Sequence, residues 1–217
     1  MAVFLDLTEN PDNRTFSPGE LVGESVRGLG GADTINGAID AEEINGNRGN
    51  DFVSGGGGND TLLGGQDNDT INGNEGNDVL NGNNANDFVF GNTGDDIVRG
   101  GQGDDQIFAG DGDDFLYGDF GTDSLTGGNG NDVFVLRTST AVANPSFADV
   151  IFDFGNGADL IGLTGGTTEA DISLVAGGGS LPFTNADTLI RLGADFLGVV
   201  LNTAPGAIAG RFTTAPG

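Results

Sequence analysis

The chain has 217 residues, of which 33 are acidic and seven are basic, and its formal net charge at pH 7 is −26. Such a charge repels nucleic acids and anionic membrane surfaces, so a cation is the expected partner. Histidine and cysteine are both absent, which excludes disulfides, imidazole and thiolate metal sites, and catalysis by a histidine base or a cysteine nucleophile.

Residues 1–18 are predicted to form an N-terminal edge strand and lead-in turn. The first ten residues read MAVFLDLTEN, in which Asp6 interrupts a short apolar stretch and no basic residue precedes it. This pattern does not resemble a cleavable secretory signal peptide. No run in the chain approaches the ~18 apolar residues of a membrane helix, so no membrane insertion is expected.

A nine-residue repeat follows. From Gly28 to Val135 the chain divides into twelve units without an insertion or deletion, and a weaker unit, Gly19–Arg27, precedes them. Position one is Gly in eleven units, position four is Gly in nine, and position eight is always apolar. Position six is always a carboxylate: Asp33, Glu42, Asp51, Asp60, Asp69, Asp78, Asp87, Asp96, Asp105, Asp114, Asp123 and Asp132. The unbroken phase indicates a repeat solenoid rather than a glycine-rich linker.

The repeat predicts an all-β fold. Glycine at positions one and four, with Asn or Gly common at position two, is expected to supply the positive φ of a tight six-residue turn. Positions seven to nine then form a short strand with one inward apolar side chain. Over residues 19–135 we expect a right-handed parallel β-roll with 18 residues per coil.

Stacked coils place the position-six carboxylates in columns. Neighbours about 4.8 Å apart repel by roughly 1 kcal/mol in water and by more in a less polar setting. Carboxylates and turn carbonyls are hard oxygen ligands, and a flexible set of six to eight suits Ca²⁺ better than Mg²⁺. Multiple Ca²⁺ ions are therefore the predicted cofactors. The alternative is a metal-free solenoid whose aspartates only solvate the turns.

The units Gly100–Phe108 (GGQGDDQIF) and Gly127–Val135 (GGNGNDVFV) match the nonapeptide G-G-x-G-x-D-x-U-x, and the array resembles the RTX, or haemolysin-type, family. The resemblance implies that Ca²⁺ lies between turns stacked on one edge, so that Asp51 acts with Asp69 and Asp87. The implied carboxylate ligands are Asp33, Asp51, Asp60, Asp69, Asp78, Asp87, Asp96, Asp105, Asp114, Asp123 and Asp132. The implied carbonyl ligands lie near Gly46, Gly49, Gly55, Gly58, Gly64, Gly73, Gly76, Gly91, Gly94, Gly100, Gly103, Gly112, Gly118, Gly121, Gly127 and Gly130.

Some units depart from the family pattern. The unit Gly37–Asn45 has Glu42 at position six and Asp40 at position four, so no complete site is expected there. Asp67 and Ala85 replace the position-four glycine and should strain their turns. We therefore expect fewer calcium sites than turns.

Residues 136–217 are predicted to form a C-terminal β cap. Apolar segments between Gly or Asn turns indicate short strands at 149–154, 159–163, 171–175, 187–192 and 196–201. The segment resembles the C-terminal portion of secreted RTX proteases, which implies an uncleaved signal for type I secretion machinery, although the tail lacks an acidic and hydrophobic ending. The outward positions seven and nine of alternate units form a largely apolar stripe on one sheet: Thr61, Leu63, Val79, Asn81, Ile97, Arg99, Phe115, Tyr117, Val133 and Val135. We expect the residues after 136 to fold back and cover one such stripe.

The function predicted is that of a secreted, extracellular or cell-surface calcium-binding protein, without enzymatic activity, that folds when Ca²⁺ binds in its turns. The alternative is a self-assembling subunit of a surface layer, filament or adhesive matrix, joined through its apolar outer sheet faces. The size of the particle at saturating calcium separates the two.

Overall fold

The computed structural model describes residues 3–21, 24–137, 139, 142, 148–177 and 186–215. The strands of this part are β1 Val3–Asp6, β2 Asn13–Thr15, β3 Glu24–Arg27, β4 Thr34–Asn36, β5 Glu43–Arg48, β6 Phe52–Gly57, β7 Thr61–Gln66, β8 Thr70–Glu75, β9 Val79–Asn84, β10 Phe88–Thr93, β11 Ile97–Gln102, β12 Gln106–Asp111, β13 Phe115–Phe120, β14 Ser124–Asn129, β15 Val133–Leu136, β16 Asp149–Ile151, β17 Leu160–Leu163, β18 Ile172–Ala176, β19 Thr188–Leu192, β20 Asp195–Val200 and β21 Phe212–Thr214. The helical elements of this part are a 3-10 turn, Glu169–Asp171, and α1, Pro205–Ile208.

From β1 to β17, successive strands alternate between two sheets and pair in parallel. The first sheet has the order β1-β3-β5-β7-β9-β11-β13-β15-β17-β21, and the second runs β18-β19-β20-β16-β14-β12-β10-β8-β6-β4-β2. In the repeats the paired strand residues are 18 positions apart, as Val89 is from Ile71 and Ile107. The predicted all-β parallel solenoid with 18 residues per coil is confirmed.

The strands are longer and the turns shorter than predicted. In β6, Phe52–Gly57, positions seven to nine continue into positions one to three of the next unit. From β5 to β14 only positions four to six lie outside the strands, so the prediction of a six-residue turn is wrong there. The physical reason is that the glycine-rich positions also pair with the previous coil, as Asn92 does with Asn74. On either side of β4, residues 28–33 and 37–42 do form turns of six residues.

Positive φ occurs at positions two and four, as at Asn47 (+74°) and Gly49 (+114°). The expectation that position-one glycines also supply it is wrong for the twelve regular units, since none of their glycines from Gly28 to Gly127 has positive φ. Asp67 (+73°) and Ala85 (+78°) keep the left-handed backbone despite their side chains, which costs each of them about 1–2 kcal/mol.

The core is a continuous ladder of position-eight side chains. All twelve are inaccessible to solvent, and Val26, Ile151 and Ile161 extend the ladder at its two ends. Along β6 the exposure of successive residues alternates, as expected for a strand with one face inward. No helix in the part of the chain described is long and apolar enough to cross a membrane.

The C-terminal segment extends the two sheets. β16 pairs with β14 and β17 pairs with β15, and β21 and β20 then continue the parallel order. β18, β19 and β20 are antiparallel. The sequence indicated strands at all of β16 to β20, but β21 and α1 were not predicted.

The expectation that this segment folds back over a sheet face is wrong for the residues described. It reaches only the end of one stripe, where Leu160 and Ala215 pack against Tyr117, Val133 and Val135. Val79, Ile97 and Phe115 of that stripe remain exposed, because the described C-terminal strands add coils along the solenoid axis instead of covering its side. Residues 138, 140, 141, 143–147 and 178–185 lie outside the described part.

Candidate metal centre

The position-six carboxylates form two columns, one along each edge of the solenoid. The first column contains Asp33, Asp51, Asp69, Asp87, Asp105 and Asp123, and the second contains Glu42, Asp60, Asp78, Asp96, Asp114 and Asp132. All twelve side chains are at most 4% exposed. Since ionised carboxylates are almost never fully buried without a partner, this arrangement requires one.

Hydrogen bonds within a column use one carboxylate oxygen. The backbone N–H of Asp51 donates to Asp69 Oδ1 at 2.8 Å, and the N–H of Asp69 donates to Asp87 Oδ1 at 2.8 Å. The same contact recurs at each step of both columns. Each turn therefore orients the carboxylate of the next coil on its own edge.

The other oxygen is left without a partner. Eleven buried carboxylate oxygens have no hydrogen-bond donor: the Oδ2 atoms of Asp33, Asp51, Asp60, Asp69, Asp78, Asp87, Asp96, Asp105, Asp114 and Asp123, and Oε2 of Glu42. A native protein of this size leaves few buried polar atoms unsatisfied, and a regular series of them indicates an unseen partner. An anionic oxygen takes either a proton or a cation.

Position-one glycines make room for these oxygens. A Cβ built on Gly64 would lie 2.4 Å from Asp69 Oδ2 and 2.8 Å from the carbonyl oxygen of Gly82, which stands at position one of the next coil on that edge. Gly46, Gly55, Gly73, Gly82 and Gly91 repeat this pattern. A carboxylate oxygen and a carbonyl oxygen therefore converge beside each of these glycines. Ala109, the one exception at position one, carries the methyl group that the glycines lack.

The predicted carbonyls divide into two groups. Those of position one, such as Gly64, Gly73 and Gly100, face the carboxylates of the previous coil. Those of position four, such as Gly58 and Gly76, point at the position-four glycine of the next coil, where a Cβ would meet them at 1.5–1.9 Å. The structure brings the first group together with the carboxylates. Gly82 belongs to that group and was missing from the prediction.

Burial changes the acidity of the columns. Desolvation raises the pKa of Asp69 and Asp123 to about 8 and that of Asp87 and Asp96 to about 7. Neighbouring carboxylates add to the effect, and the backbone N–H bonds partly oppose it. In the absence of a cation, the folded columns therefore hold protons near neutral pH.

A second ladder at position five was not predicted. The N–H of Asp95 donates to Asn77 Oδ1 at 3.1 Å, and the N–H of Asp113 donates to Asp95 Oδ1 at 3.0 Å. Here the later coil donates to the earlier one, opposite to the direction at position six. These side chains are exposed and already hydrogen-bonded, so they link the turns of successive coils on the outer surface. Nine of the twelve units have Asn or Asp at this position, and that pattern could have revealed the ladder.

The columns also include carboxylates that sequence reasoning missed. Asp12 precedes Asp33, since its N–H donates to Asp33 Oδ1 at 2.8 Å. Asp149 follows Asp123 and Asp159 follows Asp132, each through a 3.2 Å bond of the same kind. Glu42, which was left out of the predicted sites, takes its place in the second column through a 2.7 Å bond to Asp60. The Asp-x-apolar triplets at 149–151 and 159–161 were the available signal.

The residues present fit calcium. The unpartnered carboxylate oxygens and convergent carbonyls are hard ligands of the kind Ca²⁺ takes, and cysteine and histidine are absent from the sequence. Among the residues described, no three acidic side chains form a compact cluster. Each site would therefore rely on carboxylates from the column together with backbone carbonyls.

Sequence comparison identifies the repeats. The family model of the RTX calcium-binding nonapeptide repeat describes four copies of the repeat. It matches six overlapping segments of the chain: residues 23–53, 36–71, 54–89, 63–98, 72–107 and 99–134. Together they span more than half of the chain. The chain belongs to the RTX calcium-binding repeat family. RTX repeats bind multiple Ca²⁺ ions, and calcium is therefore the cofactor of this protein.

Other comparisons add little to the RTX assignment. No curated protein matches the chain. A similar solved structure is the extracellular lipase LipA from Serratia marcescens, with 14% identity, a TM-score of 0.23, and coverage of 85% of this chain. This chain spans only 38% of the lipase chain. The resemblance of the C-terminal segment to RTX proteases is not confirmed.

Proposed function

We propose that this RTX protein is an extracellular calcium-binding module whose roll folds when Ca²⁺ enters the two carboxylate columns. The observation that carries the proposal is the set of eleven buried carboxylate oxygens without a donor. The position-six aspartates and the position-one carbonyls of the next coil would hold the ions. Bound Ca²⁺ would neutralise the columns and cross-link successive coils.

Folding and binding are coupled in this proposal. Without a cation, the fold must bury a series of like charges or protonate them, and both are costly near neutral pH. Calcium removes that cost in the folded state only, so its binding free energy adds to the stability of the fold. Extracellular calcium modules bind with a Kd of about 10⁻⁴–10⁻³ M, a range that favours the unfolded chain wherever calcium is scarce.

The test is a calcium titration of the chelated chain, followed by circular dichroism and light scattering. We expect a cooperative gain of β signal in the range of about 10⁻⁴–10⁻³ M Ca²⁺. A chain that is fully structured in chelator and takes up no calcium would contradict the proposal and support the metal-free solenoid.

We further propose a division of the chain into an N-terminal edge at 1–18, the roll at 19–135, and a C-terminal cap at 136–217 that also carries a signal for type I secretion. The pairing of β1 with β3 and of β16 with β14 supports the assignment of the two terminal segments to the ends of the roll. Attachment of residues 136–217 to a passenger protein, followed by assay of its export, tests the signal. Retention of the passenger inside cells that carry the exporter would refute it.

We also propose that the chain binds calcium without catalysing a reaction. The absence of His and Cys supports this, because it removes the usual bases and nucleophiles. The Asp pairs, such as Asp104 and Asp105, belong to the two turn ladders already described. Hydrolysis of ester or glycoside substrates above the buffer rate by the calcium-loaded chain, abolished by an Asp105→Asn substitution, would contradict the proposal.

Self-assembly is the second candidate function. Apolar side chains remain exposed on both outer faces, including Phe52 (38%), Phe88 (42%) and Phe108 (37%) on one sheet and Val79 (42%) and Ile97 (40%) on the other. Exposed stripes of this kind are typical of protein interfaces. Growth of light scattering with the β signal, reduced by Phe88→Thr, would favour a building block. A monomer at saturating calcium would favour the soluble module.

A further inference from the structure

Several departures from the repeat pattern lie together on the outer face of the first sheet. Among the twelve units, Arg99 is the only charged residue at position nine, Asp119 is the only charged residue at position two, and Phe120 is the only aromatic residue at position three. Tyr117 is the only tyrosine of the chain. All four lie on the neighbouring strands β11 and β13. The calcium-binding pattern requires none of these side chains, so another role is expected for them.

Asp119 is the centre of this group of residues. Its carboxylate accepts hydrogen bonds from Arg99 at 3.2 Å and from Arg137 at 2.7 Å, although its side chain is only 8% exposed. The guanidinium of Arg99 lies 4.1 Å from the centroid of the Tyr117 ring, and that of Arg137 lies 4.7 Å from the centroid of the Phe120 ring. An ion pair and an aromatic contact therefore fix the position of each arginine. Two cations and one anion make the group locally positive in a chain whose net charge is −26.

A depression in the sheet lies beside this group. Gly101 stands between Asn83 and Asp119 at position two, and it has no side chain to fill the space between theirs. A Cβ on Gly101 would lie 2.3 Å from the carbonyl oxygen of Asn83, so the space has to stay open. Its volume is about 150 Å³, and its walls are formed by Asn81, Asn83, Gln102, Asp119, Phe120 and Arg137. This equals the volume of about five water molecules in the liquid, which suits one small ring.

The walls place hydrogen-bond donors and acceptors close together. The N–H of Asn83 donates to Asn81 Oδ1 at 3.0 Å, and the Asn83 side-chain amide donates to the Asn81 carbonyl oxygen at 3.3 Å, so these two side chains are held side by side. Amides donate and accept, arginine only donates, and an ionised carboxylate only accepts. Asp119 would repel an anionic ligand and Arg137 would repel a cationic one. The ligand that fits is neutral and carries adjacent groups that both donate and accept, as hydroxyls do.

An exposed aromatic ring adds an apolar surface to the site. Phe120 is 48% exposed even though Arg137 lies over its ring. The rest of this ring offers contact to C–H groups of a ligand. A neutral sugar combines adjacent hydroxyls with C–H groups on one ring, and it therefore matches both parts of the site.

We propose that the depression between β9, β11 and β13 binds one neutral hexose ring of a glycan. Gln102 and the pair of Asn81 and Asn83 would bind its hydroxyls, and Phe120 would contact its C–H groups. None of these residues belongs to the carboxylate columns, so the site is a function in addition to calcium binding. The three strands come from three successive coils, so the sugar binds only to the stacked roll.

A titration of the calcium-loaded full chain with the methyl glycosides of glucose, galactose, mannose and N-acetylglucosamine tests the proposal. The chain has no tryptophan and its one tyrosine is Tyr117, so tyrosine fluorescence reports on the ring beside Arg99. We expect at least one of the four sugars to give a saturable change with a Kd in the millimolar range, because a single ring makes few contacts. Gln102→Ala and Phe120→Ala should each raise that Kd about tenfold.

Gln66→Ala is the matched control. Gln66 stands at position three of β7, on the same sheet and two coils before Gln102, and both side chains are exposed. Its substitution should leave the Kd unchanged, and circular dichroism verifies that all variants keep the β signal of the wild type. Binding of none of the four sugars, or an equal loss in Gln66→Ala and Gln102→Ala, would overturn the inference. Tighter binding of glucuronate than of glucose would also overturn it, because it would indicate an anion site.

Discussion

At the scale of single residues, Asp69 separates the two roles of a column carboxylate. Its Oδ1 accepts the N–H of Asp51 at 2.8 Å, while its Oδ2 has no donor. Asp69→Asn keeps the acceptor and removes the charged oxygen. We expect the midpoint of the calcium titration to rise roughly tenfold, which corresponds to the loss of a charged contact worth about 1.4 kcal/mol.

Asp104→Asn is the matched control for this substitution. Asp104 stands at position five, is exposed, and accepts the N–H of Thr122 at 2.9 Å through Oδ1. The change in charge and shape equals that of Asp69→Asn, but no unpartnered buried oxygen is removed. The midpoint should stay at its wild-type value. Equal shifts in both variants would mean that net charge, and not the column, sets the affinity.

The pH dependence of the calcium-free fold follows from the buried carboxyls. Burial raises their pKa to about 6–8, above the ~3.9 of an unfolded Asp. The folded chain then binds more protons, so this contribution is fully present below about pH 4 and is lost as the pH rises through about 6–8. In chelator we expect the β signal to be stronger at about pH 5.5 than at about pH 8.5.

The calcium affinity should depend on pH in the opposite direction to the stability of the calcium-free fold. Protons and Ca²⁺ compete for the same oxygens, so the calcium midpoint should rise as the pH falls from about 8 to about 5.5. Circular dichroism along both pH series measures the two effects. A calcium-free chain whose β signal does not depend on pH would show that the buried carboxyls do not control folding.

At the scale of the turn, position four limits stability. Ala85 has φ of +78°, and a left-handed non-glycine residue costs about 1–2 kcal/mol. Ala85→Gly removes that strain and adds chain entropy to the unfolded state, so we expect a net gain of about 0.5–1 kcal/mol in the free energy of unfolding at saturating calcium. Urea denaturation measures it.

The reverse substitution on the other edge provides the comparison. Gly94 has φ of +123°, and a Cβ there would lie 1.9 Å from the carbonyl oxygen of Gly76. Gly94→Ala should therefore destabilise the roll by more than Ala85→Gly stabilises it. The two substitutions should change the free energy of unfolding in opposite directions. A stable Gly94→Ala variant would show that the turns do not stack as closely as described.

Much of the repeat coil could be predicted from the sequence, because the positions that face inward repeat without interruption. Ile71 and Val89 are buried for the reason that their spacing implied, and Asp69 and Asp87 share an edge because their separation is 18 residues. The predicted role of the position-one glycines, to supply positive φ, was wrong. Sequence shows that a side chain is absent, but it does not show whether φ or the approach of an Asp oxygen is the cause.

The end of the columns could not be predicted in the same way. Asp149 follows Asp123 by 26 residues and Asp159 follows Asp132 by 27, so the interval of 18 no longer applies. Only the pairing of β16 with β14 and of β17 with β15 restores their register. A carboxylate outside the phase of a repeat can be placed by strand pairing but not by counting.

At the scale of the whole molecule, the charge of −26 comes from both exposed and buried carboxylates. Added salt can distinguish the effects of the two groups on folding. Exposed charges are screened within about 10 Å at 0.1 M salt, whereas buried charges are screened much less. We expect about 1 M NaCl in chelator to leave the chain without β signal, while millimolar Ca²⁺ restores it. Circular dichroism decides the result, and folding in NaCl alone would show that general repulsion keeps the chain unfolded.

The alternation of β1 to β17 between the two sheets also determines how a gene for this fold can change in length. Loss of one 18-residue coil leaves every later strand in its own sheet and shortens the rod by about 4.8 Å. Loss of a single nine-residue unit transfers every later strand to the opposite sheet, so that β16 and β17 meet the wrong neighbours. Viable length variants of this protein should therefore differ by whole coils, with an even number of repeat units gained or lost.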